Sequence, residues 1–195
     1  MKLIHKMFIV ALSITVVAAL ASCNKSGTSS SSGSARSEAP QQPTGPAPEI
    51  PAEPPTFTFT GTELKIELEE MYSEEFLIFA DSAASGGYAA KLLSEESVAK
   101  AFVTFPAGDY LGLVNENAPD GAHDAFNVFV DGVAFRSFPS DPPLGTYELT
   151  ERSPINFTID AEKTVEVRIQ QHDPDRPNKP GETGMSLDYI IFTKQ

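Results

Sequence analysis

Val103-Thr104-Phe105-Pro106-Ala107-Gly108-Asp109-Tyr110 is the stretch that decides the fold class. Apolar and polar residues alternate up to Phe105, the period of a strand with one buried face. Pro106-Ala107-Gly108-Asp109 then supplies turn chemistry, and Pro106 cannot donate to a β-ladder. Apolar residues resume at Tyr110 and continue to Val114. A strand, a turn and a second strand within so few residues describe a hairpin.

The same pattern extends outward in both directions. Residues 57–60, 64–69, 126–130 and 165–169 alternate with period two, and 76–79, 101–105, 110–114, 157–159 and 187–192 are further strand candidates. Pro119-Asp120-Gly121, Asp131-Gly132 and Ser140-Asp141-Pro142-Pro143 mark turns between them. A helical turn is expected only at 94–100. Eight or more short strands with regular turn signals predict an all-β domain, an antiparallel β-sandwich of the jelly-roll kind.

The chain before this domain has a different character. Lys2, His5 and Lys6 precede an apolar run from Met7 to Leu20, and Leu20-Ala21-Ser22-Cys23 follows. A basic start, a short apolar core and small residues at the cut describe a secretory signal peptide over 1–22. The run falls short of the ~20 apolar residues of a membrane span. Cys23 is the sole cysteine, and its setting resembles the lipobox of bacterial lipoproteins. That resemblance implies lipid on the Cys23 thiol and a membrane anchor at the bacterial cell envelope, facing periplasm or exterior. Residues 23–56 are rich in Ser, Gly and Pro, too poor in apolar groups to offset the entropy of ordering, and are expected to be a disordered linker. The domain is expected over 57–195. With no second cysteine, it must hold itself without a disulfide.

Charge narrows the partners. The chain carries 14 basic and 27 acidic residues, a net charge of −13. Such a surface repels phosphate backbones and excludes nucleic acid as a partner, while it suits divalent cations. On a strand over 64–69, Glu67 and Glu69 share one face and Ile66 and Leu68 the other. Two carboxylates about 7 Å apart on one face repel unless solvent or a cation lies between them. Calcium, which takes about six to eight oxygens, fits that chemistry. A solvated acidic edge strand is the alternative.

Five blocks, in order, resemble the carbohydrate-binding modules of families 6 and 35: Glu67-Leu68-Glu69, Ser85-Gly86-Gly87-Tyr88, the hairpin quoted above, Phe129-Val130-Asp131-Gly132, and Gly184-Met185-Ser186-Leu187-Asp188-Tyr189-Ile190. The resemblance implies a galactose-binding-like jelly roll and a structural calcium. Carried onto this chain, the ligands are Glu67, Glu69 and Asp188, with a carbonyl from Tyr88. Glu70 and Asp81 are nearby acids able to replace one of them. The resemblance also implies a glycan or polysaccharide as partner. The chain departs from it by having no Trp, by Val98 where family 6 carries an aromatic residue, and by Ser186 where that family often has Asn.

A sugar face needs an aromatic platform and polar donors. The platforms available are Tyr88, Phe138 and Tyr147. The polar contacts are Arg136, Asn115, Asn117 and, in a long polar loop over 171–184, His172. For each, strand packing or plain loop polarity is the alternative. No nucleophile elbow, zinc helix or phosphate loop occurs, and the expectation is a non-catalytic protein. A calcium-stabilised glycan-binding lipoprotein is the leading reading. An envelope-protein interaction module of the same fold is the second.

Overall fold

A computed structural model describes residues 46–121, 123–137, 142–149, 154–171 and 184–195, all within one compact unit spanning Glu38–Gln195. Thirteen strands are present among them. They are β1 (Thr56–Thr58), β2 (Glu63–Glu67), β3 (Tyr72–Glu74), β4 (Phe76–Ala80), β5 (Tyr88–Leu92), β6 (Val98–Phe105), β7 (Gly108–Asn117), β8 (Phe126–Val130), β9 (Val133–Ser137), β10 (Glu148–Leu149), β11 (Ile155–Ile159), β12 (Lys163–Gln170) and β13 (Ser186–Lys194).

Two sheets form the expected sandwich. One runs β1-β6-β12-β8-β9, with β3 also on β6. The other runs β10-β7-β13-β5-β4, with β11 also on β7 and β2 also on β13. Several edges are shared by two short strands. Along β6, β3 meets Val98–Lys100 and β1 meets Phe102–Thr104. Along β13, β5 meets Ser186 and Leu187, and β2 meets Tyr189 to Thr193. The second sheet therefore splits at Asp188, the residue between the two partners.

The inner faces carry the core. Val98 to Phe105 alternates so that Ala99, Ala101, Val103 and Phe105 are fully buried, and β12 answers with Val165, Val167 and Ile169. Leu187, Ile190 and Phe192 line the inner side of β13. Each such side chain contributes ~1.5–3 kcal/mol by leaving water. One end of the sandwich is filled by rings. Phe59, Phe105, Tyr110, Phe157 and Phe192 meet with centroids 4.8–5.9 Å apart, mostly tilted or edge to face. The Tyr110 hydroxyl donates to the Pro106 carbonyl at 2.7 Å, which closes the hairpin turn.

The structure departs from the sequence reading at several points. β1 pairs with β6 in parallel, so the sandwich is not wholly antiparallel. No helical turn fills 94–100. The Ser97 hydroxyl instead accepts from the Leu93 and Ser94 amides and donates to the Glu75 carbonyl, and β6 begins at Val98. Side-chain bonding of this kind competes with helix. β8 reads as alternating yet is buried on both faces, its outer Phe129 covered by the Arg168 guanidinium 4.3 Å from the ring centroid. Residues 46–55, which the composition assigns to the linker, are mostly exposed but hydrogen-bond to the domain at both ends. The Phe102 amide donates to the Pro55 carbonyl at 2.8 Å, and the Tyr88 hydroxyl to the Pro46 carbonyl at 3.1 Å.

Candidate functional site

Two places gather chemistry, and both lie on β13. The first is built around Asp188. Pairing between β13 and β7 slips between Leu187 and Ile190, so Asp188 and Tyr189 face a single residue, Asn115. This is bulge geometry, which re-aims a side chain. It turns the Asp188 carboxylate, only 1% exposed, into the gap where β5 gives way to β2. Both its oxygens accept from the Ser85 amide at 3.0 Å, and Asn115 Nδ2 donates at 2.7 Å.

Glu67 reaches the same place as the last residue of β2, and Glu69 does so by a different route from the expected one. The strand ends at Glu67, and Leu68–Glu70 forms a 3-10 turn. The turn, not strand alternation, brings Glu69 inward, where it is 7% exposed. Opposite lies the Ser85–Gly87 turn, whose Gly86 takes φ 65°, a left-handed conformation that suits glycine. A Cβ built on Gly86 would lie 3.5 Å from Glu69 Oε1. The Ser85 hydroxyl donates to Glu67 Oε1 at 3.0 Å and accepts from Lys65 Nζ at 2.7 Å, and Lys65 Nζ also sits 2.6 Å from Glu67 Oε1.

The electrostatics are those of crowded acids. Burial, then repulsion from Glu67 and Asp188, pushes the Glu69 carboxyl up to about 7. Burial also lifts Asp188, against the pull of the Ser85 and Asn115 donors. The hydrogen bond from Lys65 to Glu67 raises the lysine above its ordinary range. Two carboxylate oxygens, Glu67 Oε2 and Glu69 Oε2, are buried with no hydrogen-bond partner. Hard, orphaned oxygens are what a calcium ion coordinates, so the donor set fits that ion. Among the described residues, however, no three His, Cys, Asp or Glu side chains converge as tightly as a metal's own ligands. Ser85 and Lys65 stand between Glu67 and Asp188.

The second place is a cleft of about 430 Å³ on the outer side of the same sheet, lined by Phe79, Asp81, Lys91, Asn117, Tyr147 and Ser186 among others. Five separate stretches of chain supply these groups. Half-buried Tyr147 donates its hydroxyl to Asp81 Oδ2 at 3.0 Å. Burial, then that bond, raises the phenol far above its ordinary range. The cleft thus holds aromatic and apolar surface beside an ammonium, a carboxylate and an amide, a mixture of apolar surface and placed polar groups typical of small-ligand sites.

The sequence-derived candidates divide between the two places. Glu67, Glu69 and Asp188 come together. Asn115 joins them by its bond to Asp188 and is buried away from the cleft. Asn117 and Tyr147 line the cleft. Tyr88 opens β5 with its phenol on Pro46. Asp81 turns to Tyr147 and to the Ala83 amide, not to the carboxylates. Arg136 pairs with Asn127 through β9. Cys23, Phe138 and His172 lie outside the described residues. Sequence reasoning missed Lys65 and Ser85 as members of the acidic cluster, although Lys65 shares a strand face with Glu67. Phe79 carried only a strand assignment in the sequence, and Lys91 fell outside every expected strand.

Comparison with known proteins yields no matching family model and no matching curated protein. Solved structures share the fold. The domain superposes on the C-terminal CBM6 of LamC, a laminarinase from Zobellia galactanivorans, with a TM-score of 0.51 at 18% identity, over 68% of this chain and 99% of that one. A family 35 carbohydrate-binding module from Clostridium thermocellum matches at 0.53 and 12%, over 69% and 100%. The GH26-CBM35 β-(1,4)-mannanase of Podospora anserina matches at 0.54 and 10%, over 69% of this chain but 28% of that enzyme. The fold is the jelly roll of carbohydrate-binding modules of families 6 and 35.

Proposed function

We propose that this protein is a non-catalytic glycan-binding lipoprotein, tethered to the bacterial cell envelope through lipidated Cys23, with its jelly roll tied together by calcium at Glu67, Glu69 and Asp188. The observation that carries the glycan reading is the cleft at Tyr147: a ring, an ammonium, a carboxylate and an amide converge there on a fold shared with sugar-binding modules. Phe79 and Tyr147 supply apolar surface for a sugar ring, and Lys91, Asp81 and Asn117 supply partners for its hydroxyls. The orphaned oxygens of Glu67 and Glu69 support the calcium. Bound there, calcium would neutralise the acids and join the end of β2 to β13 and the Ser85–Gly87 turn. The glycan test is an array probed with the full chain and with Tyr147→Ala. A selective hit lost in the variant supports the reading. No hit, or one that Tyr147→Ala retains, removes the cleft from it.

The protein-interaction reading is favoured by one observation. Leu77 at the cleft and Leu144 and Leu149 on the segment that borders it are 47%, 56% and 41% exposed, and the chain offers no Trp platform. Exposed apolar surface of this kind suits a protein partner. Retention of an envelope protein that Leu77→Asp abolishes, together with a blank array, would move the assignment there.

A further inference from the structure

We infer that Lys65 is a resident counter-cation of the Glu67–Glu69–Asp188 cluster, competing with the divalent cation and setting its affinity. This rests on the cation reading of that site. Lys65 stands two residues before Glu67 on β2, so both side chains leave the same face of the strand. Its ammonium lies 2.6 Å from Glu67 Oε1 and 2.7 Å from Ser85 Oγ. It also lies 4.8 Å from the centroid of the Tyr189 ring, which faces Glu67 in the β2–β13 pairing. The side chain is therefore held at three points and not left to wander in solvent.

The hold is partial, and that is the reason for the inference. Lys65 approaches from the solvent side and takes one oxygen of Glu67. Glu67 Oε2 and Glu69 Oε2 stay buried without a donor, and Glu69 is more than nine-tenths buried. One ammonium on one oxygen of Glu67 leaves these two oxygens without a partner. A divalent ion supplies twice the charge and accepts several oxygens at once. To use Glu67 fully, the ion must displace the ammonium or share an oxygen with it. A fixed positive charge within a few ångströms of a cation site weakens binding at that site.

The experiment is calcium titration calorimetry and thermal melting of the full chain, with and without EDTA, for the wild type, Lys65→Met and Lys65→Arg. The methionine keeps the aliphatic stem and removes the charge. The expected result is calcium affinity raised by about tenfold or more in K65M, from the loss of one nearby charge, with a metal-free melting temperature below that of the wild type. Saturating calcium then reverses the order of the two melts. K65R keeps the charge and stays near wild-type affinity. Calcium bound by K65M alone would also support the inference, with Lys65 as a full block. If the wild type binds calcium and K65M binds it no more tightly, the role of Lys65 is overturned while the cation site stands. If neither binds, the cation reading falls and takes the role of Lys65 with it.

Discussion

The acidic cluster and the cleft share β13 and sit two residues apart on it, at Asp188 and Ser186, yet they are built in opposite ways. The cluster is largely buried with Lys65 at its solvent edge, and its groups are bound to one another: Asp188 to the Ser85 amide and Asn115, Glu67 to the Ser85 hydroxyl and Lys65. The cleft is open, and Tyr147 holds its polar groups by side-chain hydrogen bonds to Asp81 and Ser186. The first region spends its chemistry on holding strands together; the second leaves its chemistry facing outward. Substitutions in the cluster should therefore read out as stability, and substitutions in the cleft as binding.

Asp188→Ala is the severest test of that contrast. It leaves the Ser85 amide and Asn115 Nδ2 without their acceptor, the second of them in a buried position. Each orphaned donor costs about 1–3 kcal/mol, for a combined loss of about 2–6 kcal/mol. Since a domain of this size holds ~5–15 kcal/mol in all, urea unfolding would register it at once. A loss under about 1 kcal/mol would break the comparison, because Asp188 would then be no tie between strands.

Calcium removal is the next largest expected effect. At free calcium near 100 times its dissociation constant, occupancy contributes ~2.7 kcal/mol to the folded state, and chelation withdraws it. The wild type should melt lower in EDTA. The comparison is sharpened by repeating the melt on Leu77→Asp, a change at the cleft, which should preserve the full calcium shift. An unchanged melt in EDTA would sink calcium as a stabiliser of the wild-type domain.

Gly86→Ala probes the same cluster through its backbone. At φ 65° an L-residue costs roughly 1–2 kcal/mol, while the new methyl meets Glu69 Oε1 at an ordinary 3.5 Å. Strain, not a clash, sets the loss. Gly86→Asn should recover part of it, because Asn tolerates the left-handed region. Equal losses for Ala and Asn, measured by thermal unfolding, would assign the cost to the Glu69 contact instead.

The fold was legible in the sequence because a half-buried strand writes its period directly into the chain. Residues 101–105 and 165–169 show this, with one face buried and the next more exposed, although the strands they belong to begin earlier, at Val98 and Lys163. The acids of the cluster were legible as residue types but not by the correct geometry. Period two carried the strand reading through Glu69, where the backbone in fact enters a 3-10 turn. The inward aim of Asp188 depends on a slipped register with β7, which no local pattern encodes. Ser85 was visible only as part of a glycine turn, since its role requires Glu67 and Asp188 to arrive from 18 and 103 residues away. The cleft was the least legible of all. Phe79, Lys91, Asn117 and Tyr147 come from separate segments, and each alone reads as ordinary strand or loop polarity.

The smallest stability effect belongs to Tyr147→Phe, and its smallness is the point. The change removes only the hydroxyl, which donates to Asp81 Oδ2 at 3.0 Å and is also hydrogen-bonded to the Ser186 side chain. Asp81 keeps its bond from the Ala83 amide and borders an open cleft, so water can replace the lost donor. The expected loss is about 0.5–1 kcal/mol, at the low end for a hydrogen bond. The ring stays, so apolar stacking on a sugar survives. What changes is the freedom of the Asp81 carboxylate and the place of the ring edge. Tyr147→Phe should weaken glycan retention in affinity electrophoresis while barely moving the unfolding midpoint. A shift of several kcal/mol with binding intact would invert the division of labour along β13, making Tyr147 a tie for the 81–87 turn and leaving recognition to some other face of the domain.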